Sequence, residues 1–226
     1  MAALAEWLGS CNIRVDLPEM RPRYNISPSQ VVCSLTADGD GTFTAAMRRW
    51  GLLPKWTKDL RAGYTMINAR SETVATKPAY RSAFASRRCL VLADGFYEWI
   101  KEGKARLPVW FSMANDQPFA LGGIWEPPPK KLASEAELAA LPVDGTVSVL
   151  TTAPNELVAT VHDRMPLILP VDRWKEWLGD TSVEHASELL VSFPAEHMTS
   201  RRVSQLVNSP RNELPECLEE ESTLFG

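Results

Sequence analysis

The chain of 226 residues is 45% hydrophobic and 23% charged, which predicts one large domain with enough apolar residues for a core. No apolar run approaches the ~18 residues that a membrane-spanning helix needs, and residues 1–6 lack the basic region of a secretory signal. The net charge of -4 argues against a general nucleic-acid-binding protein.

The charges are unevenly distributed along the chain. Residues 1–113 contain 16 Lys and Arg against 10 Asp and Glu, whereas residues 114–226 contain 8 against 18. A basic face on an acidic protein is typical of one that binds a polyanion at a single place. An imbalance of this size can also arise by chance, so both interpretations stay open.

The cysteines and histidines lack the spacing of metal ligands or of a disulfide framework. No CxxC pair and no phosphate-binding glycine loop occurs. We therefore expect free thiols in a reducing cytoplasm, no metal and no cofactor. The residues concerned are Cys11, Cys33, Cys89, Cys217, His162, His185 and His197.

Hydrophobic periodicity and turn residues predict the elements in chain order. Helices are expected over 2–10, 78–85, 154–161, 173–178 and 183–190, with a short one in a surface excursion over 127–141. Strands are expected over 31–35, 42–50, 90–93, 96–100, 107–113, 119–125, 147–152 and 201–207. We predict an α+β single domain over 1–213, with a mostly antiparallel, barrel-like β core and peripheral helices, followed by a mobile acidic tail over 214–226.

Two short stretches combine polar and aromatic side chains in a way that suggests ligand contact. The loop over 51–56 places Lys55 next to Trp56, which is either a stacking surface or a cap on the core. In an extended chain, alternation would project Asn68, Arg70 and Glu72 from one side. This row is either a polar network that reads a ligand or a solvated strand face.

The stretch over 90–100 predicts a buried strand, a turn at Asp94-Gly95 with positive φ, and a second strand. Phe96, Glu98 and Ile100 would then share one face of the second strand. Glu98 is either exposed on an edge strand or held in a partly dry pocket. The second interpretation favours acid-base chemistry, because burial between apolar neighbours disfavours the ionised carboxylate.

Six motifs occur in order between residues 20 and 210: RYNISP at 23–28, WGLLPKW at 50–56, INARSET at 67–73, ADGFYEW at 93–99, TTAPN at 151–155 and HDRMP at 162–166. Together they resemble the SOS-response-associated peptidase (SRAP) family of abasic-site processing proteins. The resemblance implies capping of abasic sites in single-stranded DNA by an N-terminal cysteine at position 2. In that family the cysteine's α-amine forms a Schiff base with the deoxyribose aldehyde, and its thiol then closes a stable thiazolidine. The older label of peptidase refers to removal of the initiator Met.

By this resemblance, Glu98 would be the acid-base group that moves protons during ring opening and imine formation. His162 would assist proton transfer at the sugar, and Asn68 would position the N-terminal residue and the sugar. The predicted DNA-binding residues are Arg70, which would bind a flanking phosphate, Trp56 and Pro28, which would stack on or wedge against bases, and Asn25, Trp50 and Arg23. The implied partner is single-stranded DNA with an abasic site. We expect a cytoplasmic monomer, nucleoid-associated in a bacterium, without membrane contact.

The N-terminus departs from the family pattern. Family members begin Met-Cys-Gly-Arg, whereas this chain begins Met1-Ala2-Ala3-Leu4, and Cys11 follows the first predicted helix as a small buried hydrophobe. Three explanations are open: a start codon assigned too far downstream, a truncated chain, or a natural member without the crosslinking group. We favour the first two because the four catalytic and phosphate-binding candidates are all present. As it stands, we expect the chain to lack the thiazolidine chemistry, although Ala2, if exposed, would offer an α-amine for a reversible Schiff base.

Three functions therefore compete. The first is an abasic-site crosslinking and lyase-type enzyme. The second is a non-covalent single-stranded or junction DNA-binding protein that keeps the groove without the chemistry. The third is a small-molecule hydrolase that uses Glu98 and His162, which the missing nucleophile disfavours.

Overall fold

The computed structural model of the protein describes residues 2–38 and 41–220. The helices are α1 (Ala2–Ser10), α2 (Ala62–Thr65), α3 (Ser71–Val74), α4 (Arg81–Ser86), α5 (Glu135–Ala139), α6 (Trp174–Leu178) and α7 (Val183–Glu188). The strands are β1 (Val31–Ala37), β2 (Phe43–Trp50), β3 (Asn68–Arg70), β4 (Arg88–Ala93), β5 (Phe96–Glu102), β6 (Ala105–Met113), β7 (Phe119–Glu126), β8 (Thr146–Thr152), β9 (Met165–Pro166), β10 (Ile168–Leu169) and β11 (Met198–Arg202). Within these ranges, no helix has both the length and the apolar character needed to cross a membrane.

The strands form two sheets. In the larger one, β7, β4, β1, β2 and β8 pair in that order and β8 pairs back with β7, which closes a ring of hydrogen-bonded strands. All pairings in the ring are antiparallel except β2 with β8. The smaller sheet is antiparallel, in the order β11, β6, β5. The predicted α+β class with a mostly antiparallel β core is confirmed.

A first core lies between the larger sheet and the helices. Trp174 and Trp177 of α6 are fully buried there, and Trp7 of α1 packs edge-on against Trp174 with ring centroids 5.6 Å apart. The indole of Trp177 donates to the carbonyl of Cys89 on β4, which ties the helix layer to the ring. Cys11, expected to be buried, is only partly buried against this core.

A second core fills the space between the ring and the smaller sheet. Phe111 of β6 is fully buried and stacks on Phe96 of β5, with ring centroids 5.2 Å apart. Val91 and Val149 contribute to this cluster from the ring. Because the inner face of the smaller sheet is apolar around Phe96 and Phe111, it docks on the ring and places β5 beside the loops that follow β8.

The chain passes from one sheet to the other at Asp94-Gly95, and the predicted conformation of this turn is wrong. Neither residue has a positive φ. A Cβ on Gly95 would lie 2.0 Å from the Trp110 ring. Glycine is therefore required here by the close approach of an indole rather than by backbone handedness.

Three other predicted elements differ from the structure. Helix α4 begins at Arg81 rather than at residue 78, because the residues before it form a turn in which the carbonyl of Lys77 accepts from Tyr80 and Arg81. The helix expected over 154–161 is a 3-10 turn, Val158–Thr160, entered through an Asn155 side chain that accepts from the Val158 N–H. The last strand is displaced to Met198–Arg202, where it pairs with β6.

The beginning of the expected acidic tail is folded. Pro215–Leu218 forms a 3-10 turn in which Cys217 is fully buried. Glu220 pairs with Val203 through an isolated β-bridge. The mobile tail is therefore a wrong expectation for these residues, and the rest of it, residues 221–226, lies outside the described part of the chain.

Candidate active site

Glu98 and His162 meet where the two sheets come together. Glu98 lies on β5 opposite Val109. Its side chain projects from the same face of the strand as that of Phe96, as the alternation predicts. His162 lies in the loop between β8 and β9. Its Nε2 is 3.9 Å from Glu98 Oε2. The structure thus brings together two residues that are 64 positions apart in the chain.

The Glu98 carboxyl is largely enclosed, with 23% of its side chain exposed. Burial raises the pKa of Glu98 above its ordinary value, His162 opposes this shift, and the carboxylate of Asp163 adds to it. A carboxyl with a raised pKa keeps its proton closer to neutral pH and can serve as a general acid as well as a base. The open alternative of a freely solvated edge carboxylate is therefore not what the structure shows.

The ring of His162 is oriented by the two residues that follow it. The backbone N–H of Arg164 lies 3.1 Å from Nδ1, and Asp163 Oδ1 lies 3.4 Å from the same nitrogen. The carbonyl oxygen of Arg164 also lies 3.1 Å from Nδ1, so this nitrogen accepts from the Arg164 N–H in one tautomer and donates to the Arg164 carbonyl in the other. At 3.9 Å, Nε2 and the Glu98 carboxylate are too far apart for a direct hydrogen bond, and one bridging water or a shorter approach would allow proton exchange between them.

A second ion pair holds the His162 loop in place. Arg164 donates from both terminal nitrogens to the Glu72 carboxylate, at 2.5 and 2.9 Å, and also to the carbonyl of Thr151 on β8 at 2.6 Å. The hydrogen bond from Arg164 lowers the pKa of Glu72 to about 2. Sequence reasoning missed this pair. The only signal for it is the presence of Arg164 in the HDRMP motif, which does not name a partner.

The expected row of Asn68, Arg70 and Glu72 is wrong in its third member. Strand β3 ends at Arg70 and α3 begins at Ser71, so Glu72 leaves the strand and turns to Arg164. Asn68 and Arg70 do share the exposed face of β3, on either side of the fully buried Ala69. Within the described residues, neither side chain makes a hydrogen bond or an ion pair. An amide and a cation are thus presented to solvent.

β3 brings these two side chains to the Glu98–His162 end of the sheet. It runs parallel to β8, with Arg70 opposite Thr151. Thr151 is also the residue whose carbonyl receives Arg164. Arg70 and the His162 loop therefore lie at the same carboxyl end of two neighbouring strands, and Asn68 lies opposite Val149, two residues before Thr151.

The Pro28 turn lies next to this polar surface. Gln30 N–H donates to Ser27 C=O, and Ser29 has a φ of 76°, which together describe a type II turn with Pro28 exposed at its second position. Ser29 N–H donates to the carbonyl of Trp50 at 2.8 Å. The Trp50 indole in turn donates to the carbonyl of Ile67 at 2.8 Å, directly before Asn68.

Arg23 and Asn25 use their polar groups inside the protein. Arg23 donates to Glu213 and Gln30, each at 2.7 Å. Asn25 is 5% exposed, and its amide nitrogen lies within hydrogen-bonding distance of three main-chain carbonyls in the C-terminal segment, those of Val207, Ser209 and Asn212. Through these contacts, both residues hold the loop that precedes Pro28 in place. Direct DNA contact by either residue stays an untested prediction that the geometry does not favour.

Trp56 is 65% exposed, which excludes the alternative that it caps the core. No described contact joins it to Asn68 or Glu98, so its place in the site rests on exposure alone. Among the residues that the structure covers, no group of three or more His, Cys, Asp or Glu side chains could hold a metal ion.

Comparisons with known proteins agree with the motifs. The family model described as SOS response associated peptidase (SRAP) matches residues 2–210. The abasic site processing protein YoaM of Bacillus subtilis is 39% identical over 207 residues, covering 90% of this chain and 87% of that protein. The abasic site processing protein HMCES of Xenopus tropicalis is 33% identical over 236 residues, covering 90% of this chain and 67% of that protein.

Solved structures show the same fold at lower identity. A crystal structure of a protein from Bacteroides thetaiotaomicron has a TM-score of 0.69 at 23% identity and covers 88% of this chain and 82% of its own. One from Bordetella bronchiseptica has a TM-score of 0.71 at 22% identity, with coverage of 88% and 95%. The motif order, the family match and the relatives agree, and the chain belongs to the SRAP family.

Proposed function

We propose that this protein processes abasic sites in single-stranded DNA, using the surface formed by Asn68, Arg70, Glu98 and His162. The observation that carries the proposal is the Glu98–His162 pair, an enclosed carboxyl with a raised pKa facing an imidazole. The names of its relatives, abasic site processing proteins, agree with this substrate. An abasic site exposes an aldehyde in its open-ring form, and acid-base groups are what its capture requires.

The chemistry begins with a primary α-amine. The amine adds to the C1′ aldehyde to give a carbinolamine, whose hydroxyl leaves as water once it is protonated, and a Schiff base results. Glu98 supplies that proton, and His162 moves protons at the sugar as the ring opens. If the N-terminal residue is cysteine, its thiol then adds across the C=N bond and transfers its proton to the nitrogen, which closes a thiazolidine. An N-terminal alanine such as Ala2 has no thiol, so its reaction would stop at the reversible imine.

The DNA is bound by cations and by flat side chains around this centre. Arg70 is exposed and unpaired among the described residues, so its guanidinium is available for a flanking phosphate. Pro28 at the tip of its turn and the exposed Trp56 offer apolar surfaces to bases. Stacking of this kind contributes ~1–3 kcal/mol per base in single-strand binders.

An oligonucleotide with one abasic site tests the proposal. The protein is incubated with it, boiled and run on a denaturing gel, in parallel with a chain extended at its N-terminus by Met-Cys-Gly-Arg and the intervening residues of a relative. We expect a heat-stable adduct from the extended chain only. For the chain beginning at Met1, borohydride should trap an imine once the initiator Met is removed. An intact oligonucleotide is the control.

The gel and a binding assay together separate the candidate functions. Binding of single-stranded DNA without an adduct from the extended chain would show a non-covalent binding protein. Failure of both chains to bind single-stranded DNA at low salt would reject the DNA-directed function altogether.

A further inference from the structure

Tyr64 combines high exposure with a fixed ring. It lies in α2, within the loop over 51–66, and 57% of the residue is exposed. The guanidinium carbon of Arg49 lies 5.5 Å from the centroid of its ring. Arg49 itself is 6% exposed. A buried cation thus lies beside an aromatic residue that remains largely open to solvent, and the Tyr64 hydroxyl interacts with the same cation.

The two ends of the loop, at Gly51 and Gly63, are closely packed against each other and against Arg49. A Cβ on Gly63 would lie 2.7 Å from Arg49 Nη1 and 3.0 Å from the carbonyl oxygen of Gly51. Gly51, with a φ of 128°, would meet the carbonyl of Gly63 at 2.5 Å if it carried a Cβ. Arg49 Nη1 is buried and has no hydrogen-bond acceptor among the described residues. The Tyr64 ring and its hydroxyl are therefore favourable neighbours for this cation, and both attractions favour the observed position of the side chain.

The loop that contains Tyr64 leads into β3 of the candidate site, although its neighbour Arg49 lies opposite Thr146 at the start of β8 and Arg70 lies opposite Thr151 near its end. Leu52 N–H donates to the carbonyl of Met66 at 3.0 Å, and the Trp50 indole donates to Ile67, so the strand β3 begins where the loop closes. Asn68 follows Tyr64 by four residues. An occupant of the Asn68 surface would extend naturally towards the Tyr64 ring.

The charge of the same loop favours a polyanion. It contains Lys55, Lys58 and Arg61 against one acidic residue, Asp59. Arg61 pairs with Asp59, with Nη2 2.9 Å from Oδ2. Among the described residues, neither lysine makes an ion pair. A rigid aromatic face with lysines in the same loop is the combination with which proteins bind single-stranded nucleic acid.

We propose that Tyr64 is a stacking platform for a base of the single-stranded DNA that flanks the abasic site, and that Arg49 holds the platform rigid from below. The proposal rests on the DNA-directed function proposed above. It assigns Tyr64 to base contact only, so the phosphates are bound by other residues.

A non-reactive tetrahydrofuran analogue of the abasic site tests stacking separately from chemistry. We expect Tyr64→Ala to weaken binding of such an oligonucleotide about 5- to 150-fold, and Tyr64→Phe to bind nearly as the parent does. The dependence of log K on log salt should keep its slope in Tyr64→Ala, because no phosphate contact is lost. Val143→Ala is the control, since Val143 is 90% exposed and lies in another loop.

Fluorescence locates the contact. 2-Aminopurine is placed in turn at each position beside the analogue, and Tyr64→Ala should increase its bound-state emission at one position only. Unchanged affinity and emission in Tyr64→Ala would overturn the platform while leaving the proposed function intact. An equal loss in Tyr64→Phe would assign the effect to the hydroxyl and also overturn it. If the parent protein binds no single-stranded DNA, both proposals fail.

Discussion

The guanidinium of Arg164 binds both oxygens of the Glu72 carboxylate across 92 positions of sequence. Because Arg164 follows His162 by two residues, this pair fixes the imidazole loop to α3. A further bond to the carbonyl of Thr151 fixes it to β8. The position of His162 relative to Glu98 therefore depends on Glu72, which has no described contact with either of them.

We expect Glu72→Gln to slow adduct formation by the extended chain about tenfold, because a loosened loop misplaces His162 by a fraction of an ångström to an ångström.

The contribution of Glu72 to the free energy of unfolding should depend on pH. The pKa of Glu72 falls to about 2 in the fold, so its contribution is complete above the unfolded value near 4.5 and is lost as pH falls towards 2. Urea unfolding between pH 2 and 7 should show this loss in the parent and not in Glu72→Gln. Glu156→Gln, at an exposed site without an ion pair among the described residues, should behave as the parent.

Glu98→Gln should slow both formation and reversal of the adduct while leaving DNA affinity nearly unchanged. Burial raises the pKa of Glu98 in the fold, so its favourable contribution is complete below the unfolded value and is lost as pH rises through the folded one. The variant should therefore be more stable than the parent at neutral pH, with the difference disappearing near pH 4. Rate measurements and thermal unfolding at both pH values check this. Reaction at the parent rate would refute the acid-base role.

Arg70→Ala should weaken binding of single-stranded DNA and flatten its salt dependence. Removing one phosphate contact lowers the magnitude of the slope of log K against log salt by about 0.7 for a single strand. Arg106→Ala is a suitable control, because it removes the same charge outside the proposed phosphate-binding set. The guanidinium carbon of Arg106 lies 5.0 Å from the centroid of the Trp99 ring, whose indole donates to Asn208. A slope unchanged by Arg70→Ala would remove Arg70 from the phosphate-binding set.

Ser29→Gly should stabilise the protein by about 1 kcal/mol, because Ser29 has a φ of 76° at the position of a type II turn where glycine is preferred. The Ser29 hydroxyl is also buried without a partner among the described residues. The shift in the urea midpoint measures the change. Ser27→Gly, at a position without a positive φ, should instead destabilise. A loss of stability in Ser29→Gly would contradict the turn assignment.

Side-chain alternation correctly predicted features of a strand that depend only on neighbouring residues. The alternation around Glu98 gave the correct face, because β5 is a regular strand paired with β6 along its whole length. The same reasoning failed at Glu72, because the chain enters α3 one residue after Arg70 and alternation stops there. No periodicity indicates where a strand of three residues ends.

Contacts between distant segments could not be predicted from the pattern. The family resemblance implied DNA contact by Asn25 and Arg23, yet their partners come from residues 207–213 and Gln30. The acidic composition of the C-terminus suggested mobility, and the burial of Cys217 outweighs it. Glu213 lies 190 positions from Arg23 and Val207 lies 182 positions from Asn25, so no local pattern could indicate these contacts.

Glu98 lies on the smaller sheet and His162 lies in the loop that follows β8 of the larger sheet, so the distance between them depends on how the two sheets dock. A shift of the smaller sheet by one ångström would change proton transfer before any strand in either sheet lost a hydrogen bond. The protein should therefore lose activity at lower denaturant concentrations than those at which its secondary structure is lost. Inactivation and unfolding would then be two separate events in this fold, and DNA that bridges both sheets would delay the first.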